Sequence, residues 1–126
     1  MNFLLTGDAP REVEKVIPDG VHADVLKLGH HGSHTSSDLS FLKNIQRQGK
    51  ILYAVISANS KDGAAGRRYK HPHQETLETL KKFEKIKLYR TDLHGTIVFS
   101  TDGEIIRAEV SNPKEASEED LWKAGE

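Results

Sequence analysis

Two adjacent histidines, His30 and His31, lie between two glycines directly after an apolar stretch. The glycines, Gly29 and Gly32, allow backbone conformations and close approaches that other residues block. Imidazole nitrogens bind zinc or manganese, and they also transfer protons or contact a substrate. The segment therefore predicts a metal-binding or catalytic loop. The alternative is a polar loop whose histidines face water.

Asp8 follows Gly7 at the end of the first apolar run. A carboxylate is an oxygen ligand for zinc or manganese, and it can bridge two such ions that hold a hydroxide between them. The same position also suits an aspartate that caps the next helix. The pattern alone supports a metal-bridging role and a capping role equally.

A third group of histidines occurs in the segment His71-Pro72-His73. Pro72 favours the first helical position over a strand, so the two rings are not expected to share a face. We expect one ring to face the site and the other to pack or to cap the helix. The preceding basic cluster could bind a polyanion or form a solvated loop; it comprises Arg67, Arg68 and Lys70.

The elements that position these residues alternate along the chain. Apolar runs predict strands at residues 3–6, 23–28, 51–56, 87–90 and 96–100, and the turn Thr101-Asp102-Gly103 predicts a hairpin to residues 104–110. The first of these strands is expected to be buried on both faces. Strands that alternate with helices and end in a hairpin predict an α/β domain with a mostly parallel sheet.

Three helices are predicted between the strands. The first begins at Pro10 and carries an apolar stripe of Val13, Val16 and Ile17. The second follows Ser36 or Ser37, either of which could cap it, and the third follows Pro72. Because the carboxyl ends of parallel strands meet at one edge of a sheet, we expect Asp8, the His30–His31 pair and His71 to converge there.

Composition limits the class of protein. The chain has 126 residues, which suits one domain, and a net charge of -1 from 18 basic and 19 acidic residues, which favours neither nucleic acid nor membranes globally. Cysteine is absent, so disulfides and thiolate metal sites are excluded. No apolar run approaches the roughly 20 residues of a membrane-spanning helix. We therefore expect a soluble, cytoplasmic chain.

Four segments together resemble one family: Leu5-Thr6-Gly7-Asp8-Ala9, residues 23–33, His71-Pro72-His73 and residues 89–97. The chain is similar to the metallo-β-lactamase-fold domain of the DNA-internalisation competence protein ComEC and its soluble relatives, over nearly all of residues 2–103. The resemblance implies the C-terminal half of an αββα sandwich in residues 1–110. Residues 111–126 would then be a charged C-terminal tail.

The resemblance also implies roles for the candidate residues. Asp8 corresponds to the metal-bridging carboxylate and His31 to a further metal ligand, while His30 and His71 are catalytic or substrate-contacting; the reverse assignment of His30 and His31 stays open. The complete domain would hold two ions of zinc or manganese. The implied activity is hydrolysis of a phosphodiester or nucleic acid.

The chain departs from the family in one respect. The His-x-His/Ser-x-Asp-His segment, which supplies most ligands in the family, is missing from these 126 residues. We therefore expect part of a hydrolase that needs a missing N-terminal half or self-associates, with an uncovered apolar sheet face drawn from Leu4, Val25, Leu26, Val55 and Ile56. The competing hypotheses are a non-enzymatic α/β binding or interaction module and, on the Gly-Ser loop alone, a phosphate-binding protein without metal.

Overall fold

A parallel sheet of four strands organises the chain. The computed structural model describes residues 1–58, 71–113 and 117–124. The strands are β1 (Phe3–Leu5), β2 (Val25–Lys27), β3 (Leu52–Ile56) and β4 (Ile86–Arg90). They pair in parallel in the order β1-β2-β3-β4, so chain order equals spatial order. This arrangement confirms the predicted α/β class.

Short helices connect the strands in the described residues. They are α1 (Arg11–Glu14), α2 (Leu39–Ile45), α3 (Gln74–Lys81), α4 (Thr91–His94) and α5 (Glu118–Leu121), with a 3-10 turn at Gly29–Gly32. The predicted second and third helices are confirmed. Pro72, however, lies before the N-cap residue His73 rather than in the first helical position.

One face of the sheet forms the core with α2 and α3. Side chains from the strands and from both helices are fully buried there, and they are Leu26, Leu28, Leu42, Leu52, Ile56, Leu77 and Leu80. Each such side chain stabilises the fold by about 1.5–3 kcal/mol through the apolar surface it removes from water. The helices on this face bring the loops at their N-terminal ends over the carboxyl edge of the sheet.

The predicted hairpin is confirmed, and it forms a separate two-stranded sheet of β5 (Ile97–Thr101) and β6 (Ile106–Val110). Phe99 of β5 packs on the other face of the parallel sheet. Its ring centroid lies 5.5 Å from that of Tyr89, 5.8 Å from that of Tyr53 and 6.5 Å from that of Phe3, in edge-to-face contacts. The hairpin thus covers part of the face that faces away from α2 and α3.

The apolar sheet face that was expected to be uncovered is exposed at its β1 edge. Leu26 and Ile56 are fully buried on the helical face, and Val25 is buried on the opposite face. Phe3 and Leu5 remain 47% and 72% exposed because β1 is an edge strand with few residues. The expectation that the first strand is buried on both faces is therefore wrong.

The apolar stripe predicted for the first helix is wrong at Val13 and Val16, whereas Ile17 is partly buried against the core. Val13 and Val16 are exposed, and the buried residue of α1 is Glu14, with 3% of its surface exposed. The Glu14 carboxylate accepts hydrogen bonds from the backbone N–H groups of Ser37, at 2.6 Å, and Asp38, at 2.9 Å. Glu14 thereby caps α2 from a different element.

Ser36 and Ser37, the serines that were expected to cap α2, make other contacts. The N-cap residue of α2 is Asp38, and no side chain of its own caps the helix. Ser36 donates its hydroxyl to the Ala9 carbonyl at 2.6 Å. Ser37 adopts a left-handed conformation with φ of 60°, and its backbone N–H donates a hydrogen bond to the Glu14 carboxylate. Both serines therefore fix the loop after β2 rather than cap α2.

The C-terminal residues dock on the end of β4. Arg90 is 2% exposed and forms a two-bond ion pair with Asp92, at 3.0 and 2.6 Å. The Arg90 guanidinium also donates to the backbone carbonyls of Asp120, Leu121 and Lys123. The C-terminal tail thus contains the short helix α5, and Asp92 lies in the short helix α4.

Two expectations concern other parts of the chain. The basic cluster Arg67, Arg68 and Lys70 lies outside the described residues. In the parts of the chain that the structure describes, no helix has the length and apolar character needed to cross a membrane.

Candidate metal and catalytic site

Loops that follow successive strands meet at the carboxyl edge of the sheet. The backbone N–H of His30 donates to the carbonyl of Gly7, at 2.8 Å, so the loops after β1 and β2 are joined. Standard backbone dimensions then bring the Cα atoms of Asp8 and His30 to within about 7 Å. The His73 N–H donates to the Gly32 carbonyl at 3.1 Å and joins the segment before α3 to the same loop.

Gly32 is required where these loops touch. Its φ is +82°, and a Cβ built on it would lie 2.8 Å from Cβ of Pro72, closer than side chains approach each other. A larger residue would push the two loops apart and strain the backbone. The close approach predicted for this glycine is confirmed.

His30 and His31 both adopt left-handed backbone conformations, with φ of 53° and 58°. Each costs a residue with a side chain about 1–2 kcal/mol, which glycine would avoid. Non-glycine residues in such strained positions cluster at functional sites, where the surrounding structure maintains them. This strain favours a functional loop over a plain polar loop.

The rings of three predicted site histidines surround a common space. The ring centroids of His30 and His71 are 5.6 Å apart, those of His31 and His71 are 5.9 Å apart, and those of His30 and His31 are 6.4 Å apart. Desolvation, with the positive charges of neighbouring histidines, lowers the pKa of His71 from 6.5 to about 4. His71 is therefore neutral at physiological pH, as a metal ligand or proton acceptor must be.

The ring of His31 is oriented by the loop after β3. Its Nδ1 lies 2.7 Å from the carbonyl oxygen of Ser57. A carbonyl can only accept, so Nδ1 carries the proton and the lone pair is on Nε2. Histidines that bind metals are commonly held in this way by a backbone carbonyl.

Asp8 is exposed beside this cluster and does not cap the following helix. The N-cap residue of α1 is Pro10, and no side-chain hydrogen bond caps that end. The helix-capping interpretation of Asp8 is therefore wrong. The metal-bridging interpretation stays a prediction.

A second histidine pair was missed in the sequence. Nδ1 of His34 lies 2.7 Å from Nδ1 of His73, and both residues can join Glu75 in a group whose ligand atoms all lie within 4.8 Å of one another. Within residues 1–58, 71–113 and 117–124, no other set of three His, Asp or Glu residues meets this criterion. His73 and Glu75 stand two residues apart in the sequence, but no spacing relates either to His34.

Two curated proteins are similar to the chain. ComE operon protein 3 of Bacillus subtilis (strain 168) is 35% identical over 121 residues, which cover 94% of this chain. Competence protein ComA of Neisseria gonorrhoeae is 36% identical over 101 residues, which cover 77% of this chain. The chain is homologous to a segment of competence proteins.

The chain spans 14% and 13% of the lengths of these relatives. No family model matches the chain, and no solved structure matches it. The competence relationship inferred from the sequence is thus confirmed by two relatives, from Bacillus subtilis and Neisseria gonorrhoeae.

Proposed function

We propose that the chain supplies one part of a metal-dependent hydrolase of the metallo-β-lactamase fold, which cleaves phosphodiester bonds of DNA taken up during competence. The observation that carries the proposal is the ring of His31. Its Nδ1 donates to the Ser57 carbonyl and its Nε2 lone pair is available at the carboxyl edge of the sheet. Homology to competence proteins supports the choice of DNA as substrate.

The residues present fit a zinc or manganese site in part. Asp8 offers a carboxylate and His31 an imidazole, which are donors that both ions accept. When bound, the ions would activate a hydroxide and stabilise the charge that develops on the phosphoryl group. His30 and His71 lie beside this position, where they would contact the phosphate or accept a proton.

In this proposal, the remaining metal ligands come from residues outside this chain. A catalytic zinc ion takes about three protein ligands, so two ions need more donors than Asp8, His31 and His71 provide. The matching segments make up 14% and 13% of the lengths of the relatives, which leaves room for such residues in them. The chain alone is then a weak metal binder and a poor hydrolase.

The test is a titration of zinc and manganese into the purified chain, together with an assay of cleavage of labelled double-stranded DNA. Asp8→Ala and His31→Ala should remove the weak binding at this site, whereas Asp19→Ala, an exposed aspartate in the next loop, should not. Binding at this site that survives both Asp8→Ala and His31→Ala would contradict the proposed ligands. A different outcome is that the chain alone cleaves DNA rapidly and loses this activity in Asp8→Ala. That result would contradict the proposal that the chain lacks part of the active site.

A non-enzymatic interaction module is the second candidate. Phe3 and Leu5 of the edge strand β1 are 47% and 72% exposed, and large apolar side chains grouped on a strand edge mark contact surfaces. In this alternative the strand edge binds a partner. The DNA cleavage assay would then stay negative in every longer form of the protein.

A further inference from the structure

We propose that His34, His73 and Glu75 form a second divalent-cation site, of the zinc type, at the N-terminal end of α3. The three residues come from two segments that are far apart in sequence: His34 from the loop after β2, and His73 and Glu75 from the start of the helix. Their ligand atoms lie within 4.8 Å of one another. This site uses neither Asp8 nor His31, although the ring of His73 lies 4.7 Å from that of His71.

The Nδ1 atoms of His34 and His73 lie 2.7 Å apart, a distance that requires a proton or a cation between them. Nδ1 of His73 accepts from the backbone N–H of His34 at 3.0 Å, so this nitrogen bears a lone pair. Nδ1 of His34 lies 2.7 Å from it, and the proton between them therefore belongs to His34. A cation that replaces this proton would be held by both imidazoles once it also displaces the His34 N–H from the single lone pair on His73 Nδ1.

The replacement requires a small movement. Zinc binds imidazole nitrogen at about 2.0–2.1 Å, so two nitrogens on a tetrahedral ion lie about 3.3 Å apart. The rings must therefore separate by about 0.6 Å. His34 is exposed and can shift by this amount without disturbing the core.

Glu75 supplies the negative charge that the position requires. The N-terminal end of a helix carries partial positive charge, which opposes a cation. The Glu75 carboxylate lies in the first turn of α3 and offsets that charge. Two imidazoles and a glutamate form a ligand set found in zinc enzymes that keep one coordination position open for water. Loss of this carboxylate should therefore weaken cation binding even when both rings remain.

The experiment is a calorimetric titration of the full chain with zinc chloride. His34→Ala and Glu75→Gln should each weaken one binding step by about tenfold or more, as expected when metal coordination is disrupted. Glu78→Gln is the matched control, because Glu78 is exposed on the same helix. That control, and Asp8→Ala, should leave the step unchanged, which also separates this site from the proposed catalytic one.

Cobalt(II) provides a second readout on the same variants. Tetrahedral coordination by the two imidazoles and Glu75 should give visible absorption bands that His34→Ala and Glu75→Gln remove and Glu78→Gln retains. Thermal melting establishes that each variant is folded. Zinc binding of unchanged affinity in both folded variants would overturn the proposal, as would a step that disappears only with Asp8→Ala.

Discussion

The surroundings of His71 strongly disfavour a proton on its ring. Desolvation is the largest cause, followed by the nearby rings of His73, His30, His31 and His34, and together they lower its pKa from 6.5 to about 4. Burial and the crowding of other imidazoles around it therefore make the His71 ring resist protonation. The neutral form is the one that can bind a metal.

This lowered pKa predicts a pH-dependent stability. The unfolded chain takes up a proton at His71 below about pH 6.5, whereas the folded chain does not until about pH 4. The free energy of unfolding should therefore be highest above pH 6.5 and should fall as the pH decreases toward 4. Urea unfolding of the wild type and of His71→Gln at a series of pH values measures this effect. Equal pH dependence in the two proteins would contradict the assignment to His71.

At the scale of elements, the connection between α1 and α2 depends on one carboxylate. Glu14→Ala would leave the backbone N–H groups of Ser37 and Asp38 without the acceptor they now share. Each buried donor without a partner costs about 1–3 kcal/mol. We expect a loss of unfolding free energy within or above this range.

Chemical denaturation of Glu14→Ala and of Glu12→Ala measures the size of this effect. Glu12 lies on the exposed side of the same helix, so its replacement should change stability by less than about 0.5 kcal/mol. Similar unfolding midpoints for the two variants would show that Glu14 does not cap α2.

Elements with a clear apolar period were predictable from the sequence, and elements fixed by polar contacts were not. β3 is almost entirely apolar, and α3 places Leu77 and Leu80 three residues apart, so both were located correctly. α1 is only four residues long and buries Glu14 rather than Val13, because the carboxylate meets donors from a distant loop. No local pattern reveals such a partner.

The candidate site was predictable in part for the same reason. The position of His30 and His31 after a strand follows from the order of elements, and the fold places them beside His71. Their left-handed conformations and the carbonyl partner of His31 depend on how three loops fit together. The pairing of His34 with His73 depends on the same fit across 39 residues of sequence.

At the scale of the whole molecule, the edge of the sheet at β1 presents exposed apolar side chains that suit association. Leu5 is 72% exposed there, next to the 47% exposed Phe3, whereas Val16 is 76% exposed on a different part of the surface. Leu5→Lys should therefore reduce any self-association of the chain, and Val16→Lys should not. Sedimentation velocity over a range of concentrations compares the two variants with the wild type. An equal effect of both substitutions would indicate nonspecific attraction between apolar side chains.

The guanidinium of Arg90 makes the end of β4 depend on residues that lie at least 30 positions further along the chain. It is buried beside Asp92 and donates to three carbonyls between residues 120 and 123. A chain truncated before Asp120 would lose these three acceptors together with the segment that lies over the guanidinium, while the ion pair with Asp92 would remain. The arginine thus couples the folding of residues 120–123 to the end of the sheet.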